Sequence, residues 1–539
     1  MRRWNGWGDD ATSMTLNAGA VAMLGARLGP GVPAQDVTLD AMLAQVSTSR
    51  LVDAHTMIQT DAAARFAMGF GESFADWIRK RFGAPPPLPD GVAFPESTEQ
   101  VRALLDLAHA SNWMVIPFAG GTSVAGHLEC PISARPILSI NLTRMNRLLH
   151  LDQKSQLATF GAGTPGPLVE AQLRAHGYTL GHFPQSFEYS TVGGWVVTRS
   201  SGQQSLRYGR IEQLFAGGRM ETPVGILNIP TFPAASAGPD LRELVLGSEG
   251  RFGILTEATL RVTPLPGHES FHAIFLPHWD AAEAAVRELA QRKLPLSMLR
   301  LSNAVETETN LTIAGHARLI SWLERYLALR GCGAGKCMLM LGVTADKSTA
   351  RHALHEARRT LAQYGAVYIG TALGSRWAAN RFKGPYLRNT LWEQGYSADT
   401  IETAVDWPNV KPLMLAMEQA ARDVFAQYGE RVHAFSHLSH VYPQGSSIYS
   451  QYVWATAAGG FGPNFERWQN FKATVAATIA AHGGTVSHQH GVGRDHAAQL
   501  HVEKGPLGMA TLAQLCRHFD PNKIMNPGKL LQDEGPWAS

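Results

Sequence analysis

A glycine-rich loop that follows a short apolar run is the feature that most constrains this chain. Residues 113–117 are apolar and predict a short buried strand. Directly after them, residues 117–126 read Pro-Phe-Ala-Gly-Gly-Thr-Ser-Val-Ala-Gly. Consecutive glycines followed by Thr and Ser can turn successive backbone N–H groups inward, which makes a nest for a pyrophosphate group. A tight turn between two elements is the alternative interpretation.

The length and composition predict a large globular enzyme with two or more domains. The chain has 539 residues, more than the ~250–300 that a single core sustains. Its formal net charge is +3 and no run of five like charges occurs, which argues against a nucleic-acid partner. Glycine, at 53 residues, is more frequent than the usual ~7%. The backbone is therefore expected to approach another group closely.

The cysteine count and the lack of a long apolar run indicate in which cellular compartment the protein is expected. Four cysteines are too few for a disulfide scaffold in a chain of this size. Cys332 and Cys337 lie close together, but no second pair is near enough to complete a zinc site. The first residues lack the apolar stretch of a signal peptide, and no uncharged run is typical of a membrane span. The sequence predicts a cytoplasmic protein.

Changes in the sequence pattern divide the chain into segments. Residues 35–80 carry apolar residues at helical spacings, and the prolines at 85–89 form a stiff boundary. Ser97 followed by Glu99 and Gln100 predicts the start of a capped helix. Further helices are expected near 280–291, 314–329, 350–363 and 411–427. The predicted segments are 1–88 (helical), 89–267 (alternating strands and helices), 268–485 (mixed) and 486–539 (glycine-rich loops).

Other glycine-rich stretches have different explanations. Residues 161–166 match the G-x-G-x-x-G pattern, but no acidic residue follows ~20 positions on at the end of a second strand. Residues 331–337 have the wrong spacing for a nucleoside-triphosphate loop. In 184–202 and 247–257, small residues flank single apolar ones, which suits backbone laid against a flat ligand. Bulged strands explain one such stretch more easily than three.

A histidine-rich loop at residues 483–494 is the main candidate for acid–base chemistry. His488 and His490 lie one residue apart among glycines, which suits proton transfer or anion binding near neutral pH. A metal site is an alternative, although side chains one residue apart in a strand point to opposite faces. Core or surface histidines are a third reading. The metal alternative would also use His433, His437 and His440.

Four motifs together resemble the vanillyl-alcohol-oxidase/PCMH flavoprotein superfamily. They are residues 117–123, 190–194, 247–250 and 520–529, in the order typical of that family. The resemblance implies an α+β fold: a PCMH-type FAD-binding domain built from both chain ends (89–267 and 486–539), an α+β cap domain (268–485) and an N-terminal helical module (1–88). Members with covalent flavin carry a histidine in or near the first loop. Residues 118–123 contain none, so non-covalent FAD is expected.

The same resemblance implies which residues contact FAD. The pyrophosphate is expected on the first loop, and the other stretches are expected to wrap the rest of the cofactor. The implied contacts are Pro117, Phe118, Ala119, Gly120, Gly121, Thr122, Ser123, Gln185, Ser186, Phe187, Glu188, Tyr189, Ser190, Thr191, Thr198, Arg199, Ser200, Ser201, Glu249, Gly250, Arg251, Phe252, Gly253, Ile254 and Leu255.

Within the superfamily, the histidine loop is similar to that of the alkyl-dihydroxyacetonephosphate synthases. Those enzymes carry three histidines followed by Gly-Val-Gly-Lys, whereas D-lactate, glycolate and D-2-hydroxyglutarate dehydrogenases typically carry Glu-His-Gly-Ile-Gly. Here residues 488–494 read His-Gln-His-Gly-Val-Gly-Arg. Gln489 and Arg494 are departures from the synthase pattern. Residues 4–8 (Trp-Asn-Gly-Trp-Gly) also resemble that family's N-terminal signature.

The synthase resemblance implies roles for three further side chains. Arg300 stands where the family has a substrate-facing arginine, and Arg388 lies in a segment similar to its phosphate-binding segment. Tyr449 matches the catalytic tyrosine, and residues 432–465 around it hold no Asp, Glu, Lys or Arg. Such a stretch is expected to line a buried apolar site, where desolvation tunes a Tyr or His.

The implied activity is the exchange of an acyl group for a long-chain alcohol on acylated dihydroxyacetone phosphate. Oxidised FAD would act without net redox change, Tyr449 would remove a proton, and His488 and His490 would assist. The runner-up is a redox flavoenzyme that oxidises a D-2-hydroxy acid, with Arg388 or Arg300 on the carboxylate. Expected partners are a small-molecule or lipid substrate, a peripheral membrane contact and a second copy in a homodimer.

Overall fold

The computed structural model describes residues 2–532, and helices and strands alternate along most of this range. The α-helices are Ala18–Leu28 (α1), Leu39–Leu43 (α2), Ala62–Ala67 (α3), Phe74–Phe82 (α4), Thr98–Ala110 (α5), Gly166–Arg174 (α6), Val192–Val197 (α7), Ser205–Tyr208 (α8), Ile211–Leu214 (α9), Arg242–Val245 (α10), Trp279–Gln291 (α11), Ala304–Ala314 (α12), Ala317–Leu329 (α13), Lys347–Ala362 (α14), Ala372–Asn380 (α15), Leu387–Glu393 (α16), Trp407–Gln427 (α17), Phe461–Ala481 (α18) and Leu500–Phe519 (α19). The β-strands are Ile58–Gln59 (β1), Gly91–Ala93 (β2), Met114–Phe118 (β3), Ile137–Asn141 (β4), Leu148–Asp152 (β5), Leu157–Gly161 (β6), Tyr178–Thr179 (β7), Phe215–Thr222 (β8), Gly225–Ile229 (β9), Ile254–Arg261 (β10), Thr263–Pro264 (β11), His268–Leu276 (β12), Met298–Ser302 (β13), Cys337–Ala345 (β14), Val367–Gly370 (β15), Tyr396–Asp406 (β16), Val432–Leu438 (β17) and Gly445–Ala455 (β18).

Local signals place several elements where the sequence predicts them. The Ser97 side chain accepts a hydrogen bond from the Gln100 backbone N–H and caps α5, which confirms the predicted capped helix. The buried strand at 113–117 is confirmed as β3. The helix expected at 314–329 begins later, at α13, because Gly315 and His316 have φ values of +72° and +57°. This left-handed backbone separates α12 from α13.

Two small sheets form the first half of the fold. One has the order β1-β2-β4-β3, with β2, β4 and β3 parallel, and the other is antiparallel with the order β5-β6-β10-β8-β9. The C-terminal part of the chain returns to this region. The Val115 N–H donates to Ile524 O (2.7 Å), and the Asn526 N–H donates to Val115 O (2.8 Å). Both ends of the chain therefore build this part of the fold, as predicted.

A seven-stranded antiparallel sheet forms the second half, with the order β15-β12-β14-β13-β17-β18-β16. Its apolar core includes buried side chains of α11, α14, α17 and α18. The uncharged stretch supplies β17 and β18, the two strands next to the edge strand β16. Because β16 and β18 pair in register, Glu402 lies directly opposite Tyr449. The predicted α+β class is confirmed.

The N-terminal segment is helical, as predicted, but it shares a core with the seven-stranded sheet. Phe74 packs against Trp454, with ring centroids 5.1 Å apart. The Trp7 N–H donates to Asn389 Oδ1 (3.1 Å), and the Asn389 side-chain amide donates back to Trp7 O (3.0 Å). The domain boundaries themselves stay predictions, and residues 533–539 lie outside the described range. None of the described helices is long and apolar enough to cross a bilayer.

Candidate active site

A cavity of about 920 Å³ lies where the loops of the two small sheets face the seven-stranded sheet. Its walls combine glycine-rich backbone on one side with β17, β18 and helices α12 and α15 on the other. The predicted cofactor contacts that line it are Pro117, Phe118, Ala119, Gly120, Gly121, Thr122, Ser123, Gln185, Ser186, Ser190, Thr191, Thr198, Ser200, Ser201, Glu249, Gly250, Gly253, Ile254 and Leu255. The sequence motifs are thus brought together at one site.

Close backbone approach explains the glycines of the first loop. A Cβ at Gly120 would overlap the carbonyl oxygen of Tyr189, and Gly121 has a φ of +64°. Gly250 has a φ of +77°, and a Cβ there would come within 3.0 Å of Pro117 Cγ. Side chains at these positions would push the loops apart. The loops after β3 and before β10 therefore form a continuous backbone surface in the cavity.

Several buried polar atoms on the cavity wall have no hydrogen-bond partner within the protein. Thr191 Oγ1, Ser201 Oγ and Asn526 Oδ1 are of this kind on the glycine-rich side. Buried polar groups are nearly always hydrogen-bonded, so such a set indicates a ligand with donors and acceptors spread along its length. The glycine-rich first loop also lines this side and suits a pyrophosphate, because consecutive glycines can turn backbone N–H groups toward a phosphate. The residues present fit FAD.

Six predicted cofactor contacts do not line the cavity, and their side chains contact other parts of the protein. Arg251 donates to Met525 O (3.2 Å) and Asn526 O (3.3 Å), which fixes the returning C-terminal segment. Arg199 forms an exposed ion pair with Glu243. The remaining four, whose rings or carboxyl group pack among neighbouring side chains, are Phe187, Glu188, Tyr189 and Phe252.

His127 lines the cavity and was not anticipated from the sequence. Its Nδ1 lies 2.6 Å from Ser123 Oγ, and its Nε2 lies 3.0 Å from Glu249 Oε2. The ring therefore links the first loop to the 247–250 loop. Because His127 follows Ser123 by only four residues, its closeness to the first loop could have been predicted from the sequence. The G-x-G-x-x-G stretch, in contrast, contributes only Ala162 to the lining, and a Cβ at Gly163 would overlap Leu142 O.

Tyr449 lies at the opposite side of the cavity, on β18. The side chain is half-buried, and desolvation raises the pKa of its phenol to about 12. Its hydroxyl donates to Thr400 Oγ1 at 3.2 Å. The ring stacks on His437 with centroids 5.0 Å apart and meets the edge of His490 at 5.8 Å. All three rings line the cavity.

A buried carboxylate from the cap sheet organises the histidine loop. Glu402 accepts backbone N–H bonds from His488 (2.9 Å), Gln489 (3.0 Å) and His490 (3.1 Å). It also accepts a bond from Ser487 Oγ at 2.8 Å. An ionised carboxylate with several backbone donors is a strong anchor for a loop. Sequence reasoning gave Glu402 no such role, because it depends on a contact 86 residues away along the chain.

The far end of the same loop is anchored to the FAD-binding half. Glu249 accepts backbone N–H bonds from Val492 (2.5 Å) and Gly493 (2.7 Å). Gly493 has a φ of +54°, and a Cβ there would overlap Ala125 O. The loop between residues 487 and 493 is therefore held by two buried carboxylates, one from each half of the molecule.

The two predicted catalytic histidines face different surroundings. His490 lines the cavity together with Gln489, and burial lowers its pKa. His488 does not line the cavity. Its Nε2 lies 2.7 Å from the Tyr442 hydroxyl, and its backbone oxygen accepts a bond from Arg210 at 2.7 Å. Burial lowers the pKa of His488 as well, so both imidazoles are held neutral.

Arg388 lines the cavity from α16 and is half-buried. One of its amino groups donates to Glu72 O at 2.9 Å, and the guanidinium stacks over Trp77 at 4.4 Å from the ring centroid. Its Nε and second amino group have no hydrogen-bond partner within the protein. Burial lowers the pKa of this guanidinium, which nevertheless remains the charged group best placed to bind an anion.

Arg300 also lines the cavity, but its charge is already balanced. It forms an ion pair with Glu306 at 2.7 Å and lies 3.2 Å from His437 Nδ1. Burial alone would raise the pKa of Glu306, but the charges of Arg300 and His437 hold it at about 2. Glu306 also accepts a bond from the Gln451 amide at 3.1 Å. Arg300 is therefore less available to a substrate anion than Arg388.

The histidines of the metal alternative bind separate partners. His433 Nε2 lies 3.0 Å from Thr309 Oγ1, and His437 Nδ1 lies 3.0 Å from Glu306 Oε1. His440 Nε2 donates to Gly202 O at 3.0 Å. Between residues 2 and 532, no group of three or more His, Cys, Asp or Glu side chains has the arrangement of a metal site.

Replacing Glu402 by Gln is expected to loosen the histidine loop. The new NH₂ group would face the backbone N–H groups of residues 488–490, which are donors themselves. Some of the hydrogen bonds that hold the histidine loop would therefore be lost. We expect the free energy of unfolding in urea to fall by about 2–3 kcal/mol. Glu308→Gln, which removes an exposed partner of Arg27, is the matched control and should change stability by less than about 0.5 kcal/mol. Equal stability of the two variants would contradict the anchoring role.

Comparison with known proteins agrees with this geometry. Residues 89–228 match the family "FAD binding domain", and residues 265–530 match "FAD linked oxidases, C-terminal domain". Alkyldihydroxyacetonephosphate synthase of Trypanosoma brucei brucei is 30% identical over 495 residues, covering 90% of this chain and 80% of the relative. The enzyme of that name from Dictyostelium discoideum is 30% identical over 483 residues, which cover 88% of this chain and 78% of the relative.

A solved structure of alkyldihydroxyacetonephosphate synthase superposes with a TM-score of 0.83 at 26% identity, and 98% of each chain is covered. The match extends through both halves of the fold and through the helical N-terminal segment. FAD is the cofactor of these FAD-linked families, and the cavity fits it. The chain therefore belongs to the alkyldihydroxyacetonephosphate synthase family of FAD-linked enzymes.

Proposed function

We propose that this protein exchanges the acyl group of an acylated dihydroxyacetone phosphate for a long-chain alcohol, which forms an ether lipid precursor. One observation carries the proposal: Tyr449 and the unpaired donors of Arg388 line the same cavity. Arg388 suits a phosphate, because a guanidinium binds phosphate oxygens with two parallel N–H donors. The names of the relatives support the substrate class.

Apolar side chains on the cap side suit the hydrocarbon chains of such substrates. They include Leu311 on α12, Met340 on β14 and Phe435 on β17, all on the cavity wall. Together with the size of the cavity, they favour a lipid over a short hydroxy acid. Among the buried guanidinium donors on the described cavity wall, Nε and one amino group of Arg388 and one amino group of Arg381 have no hydrogen-bond partner within the protein.

FAD, when bound, supplies an electrophilic ring system for the exchange without net oxidation. Arg388 binds the phosphate and orients the substrate carbon toward Tyr449. Because the pKa of Tyr449 is about 12, its resting side chain is a neutral phenol. Proton removal from the substrate therefore requires the phenol to pass its own proton to a neighbouring base. His490, which burial keeps neutral, is the cavity-lining imidazole at its ring edge.

Gln489 contributes hydrogen bonds but no proton transfer, so His490 carries the acid–base work of the loop in this proposal. His488 acts behind the cavity, where its bond to Tyr442 fixes the loop. Arg251 acts in the same indirect way, through its bonds to the returning C-terminal segment. In this proposal the flavin is non-covalent, because the first loop, residues 118–123, contains no histidine. Cytoplasmic location and a homodimer stay predictions.

The purified FAD-loaded protein tests the proposal directly. Incubation with palmitoyl-dihydroxyacetone phosphate and hexadecanol, without an electron acceptor, should yield the ether and palmitate. The runner-up is tested by anaerobic mixing with D-lactate or D-2-hydroxyglutarate. Bleaching of the oxidised flavin band by either acid, together with no ether product, would overturn the proposal in favour of a dehydrogenase.

A further inference from the structure

Arg381, which directly follows helix α15, lines the cavity with a guanidinium whose donors are unused. None of its side-chain nitrogens donates a hydrogen bond to, or forms an ion pair with, a residue that the structure describes. Arg388, in comparison, already gives one amino group to Glu72 O. Polar groups inside proteins are nearly always hydrogen-bonded, so unused donors on a cavity wall indicate a ligand.

The acidic side chains near Arg381 are bound to other groups. Burial lowers the pKa of Arg381, and the charges of Glu269 and Glu170 act in the opposite direction. Glu269 accepts a hydrogen bond from the Gln204 amide at 2.8 Å, and Glu170 accepts one from the Thr179 hydroxyl at 2.7 Å. A guanidinium stays charged at neutral pH. The cavity wall therefore carries a positive charge that is free to bind an anion.

Aromatic rings and a backbone contact hold this guanidinium in place. It lies over the rings of Phe183, Phe382 and Phe271, at 4.6, 5.0 and 6.0 Å from their centroids. The backbone oxygen of Arg381 accepts a hydrogen bond from the Gln185 amide at 2.7 Å. A group that is fixed before binding loses little conformational freedom when a ligand arrives. The site is therefore already formed without its ligand.

Arg381 and Arg388 lie toward different ends of the cavity. Arg381 lies over Phe271 of β12, whereas Arg388 lies over Phe74, whose ring packs against Trp454 of β18. In the seven-stranded sheet, three strands separate β12 from β18. Neighbouring strands are about 4.8 Å apart, so β12 and β18 are about 19 Å apart along the sheet. The two guanidiniums can therefore bind two different anions.

An apolar wall leads from the sheet to an opening beside Arg381. Its residues belong to one cluster with Phe271 and line the cavity; they are Met298, Met340, Leu373 and Trp377. Lys383 and Gly384, which follow Arg381 closely in the chain, also line the cavity and are exposed. Arg381 thus lies where a hydrocarbon-lined passage meets the solvent.

The proposed exchange releases an anion in addition to the phosphorylated product. The bond between the substrate carbon and the ester oxygen breaks, and this oxygen leaves with the acyl group as a carboxylate. The alcohol oxygen bonds to the same carbon and gives its proton to His490. A carboxylate that leaves along an apolar wall without a partner costs free energy, and an unpaired guanidinium on its way offsets that cost.

We propose that Arg381 binds the carboxylate of the released long-chain acid near the opening of the cavity, at an exit site separate from the phosphate site at Arg388. The inference rests on the proposed function, which supplies the long-chain acid. A phosphate of FAD is the less favoured occupant. The loop at 117–123 that suits the pyrophosphate lies on the glycine-rich wall, whereas Arg381 follows α15 on the opposite wall.

Calorimetric titration of the FAD-loaded protein with dodecanoate tests the inference. The parent should bind dodecanoate, and Arg381→Met should bind it at least about tenfold more weakly, as expected for the loss of hydrogen bonds to a charged group. 1-Dodecanol, which has the same chain without the charge, should bind to the parent and to Arg381→Met equally. Arg388→Met should bind dodecanoate within about twofold of the parent.

Arg174→Met is the matched control. Its guanidinium lies 3.4 Å from Glu170 at the surface, and its charge also acts on Arg381. This variant should bind dodecanoate as the parent does. Equal dodecanoate affinity in Arg381→Met and the parent would overturn the inference, as would no binding by the parent or an equal loss of 1-dodecanol binding. A lower FAD affinity of Arg381→Met with unchanged dodecanoate binding would assign Arg381 to a phosphate of the cofactor.

Ether formation separates this inference from the proposed function. Dodecanoate should inhibit ether formation by the parent, and about tenfold more should be needed to inhibit Arg381→Met. A parent that binds dodecanoate through Arg381 but forms no ether would overturn only the proposed function. A parent that forms ether, while Arg381→Met binds dodecanoate as the parent does, would overturn only the exit site.

Discussion

Replacement of Tyr449 by Phe is expected to lower the rate of ether formation by about 10³-fold, the scale at which a positioned proton-transfer group contributes. The phenol ring would keep its stacking on His437, and only the hydroxyl that meets Thr400 would be lost. FAD occupancy and the urea midpoint should therefore stay close to those of the parent. The rate is measured as ether formed in single turnovers, together with exchange of the substrate proton at the reacting carbon with D₂O.

Tyr396→Phe is the matched control for that variant. Tyr396 is buried and lies on the adjacent strand β16. Its hydroxyl donates to Gly29 O at 2.8 Å, away from the cavity wall. Its loss should cost stability and leave the single-turnover rate within about twofold. Unchanged ether formation and proton exchange in Tyr449→Phe would show that another group removes the proton.

Replacement of Arg388 by Met is expected to lower kcat/KM for the phosphorylated substrate by about 100-fold or more. Loss of one partner of a desolvated charge pair costs about 2–5 kcal/mol, and a methionine keeps much of the apolar contact with Trp77. The effect should appear mainly in KM for the acylated dihydroxyacetone phosphate. KM for hexadecanol, which has no phosphate, should change little.

Arg199→Met is the control for the loss of one positive charge away from the cavity. Its guanidinium is bound to Glu243 at the surface rather than to the cavity, so kcat/KM and FAD content should be unaffected. If KM for the phosphorylated substrate is similar in Arg388→Met and in the parent, Arg388 does not bind the phosphate. A raised KM in Arg199→Met would instead show that the cavity is sensitive to distant charge.

The parts of this molecule that depend on local sequence could be predicted. The strand before the first glycine loop, the capped helix at Ser97 and the uncharged strands around Tyr449 all have signals within a few residues. The glycines at 120 and 250 were predicted to allow close backbone approach, and the geometry of the loops gives the reason. Those signals lie within a few residues of each feature, so each feature can be predicted before the fold is known.

The organisation of the reactive groups could not be predicted, because it depends on register and long-range contacts. Glu402 looks like an ordinary strand residue until β16 pairs with β18 and places it beneath the histidine loop. In the same way, nothing near Arg300 indicates that Glu306 neutralises it. His488 was predicted to assist proton transfer, and nothing near it in the sequence indicates that its Nε2 lies 2.7 Å from the hydroxyl of Tyr442, 46 residues away.

The loop between residues 487 and 493 has a consequence for how the protein melts. Glu402 ties one end to the seven-stranded sheet, and Glu249 ties the other end to the loop before β10. If either half unfolds, the loop loses the carboxylate that anchors it on that side, and the other half loses the loop as a packing partner. Calorimetry should therefore record one heat-absorption peak, not two, and a molecule that binds only the glycine-rich half should delay the melting of both.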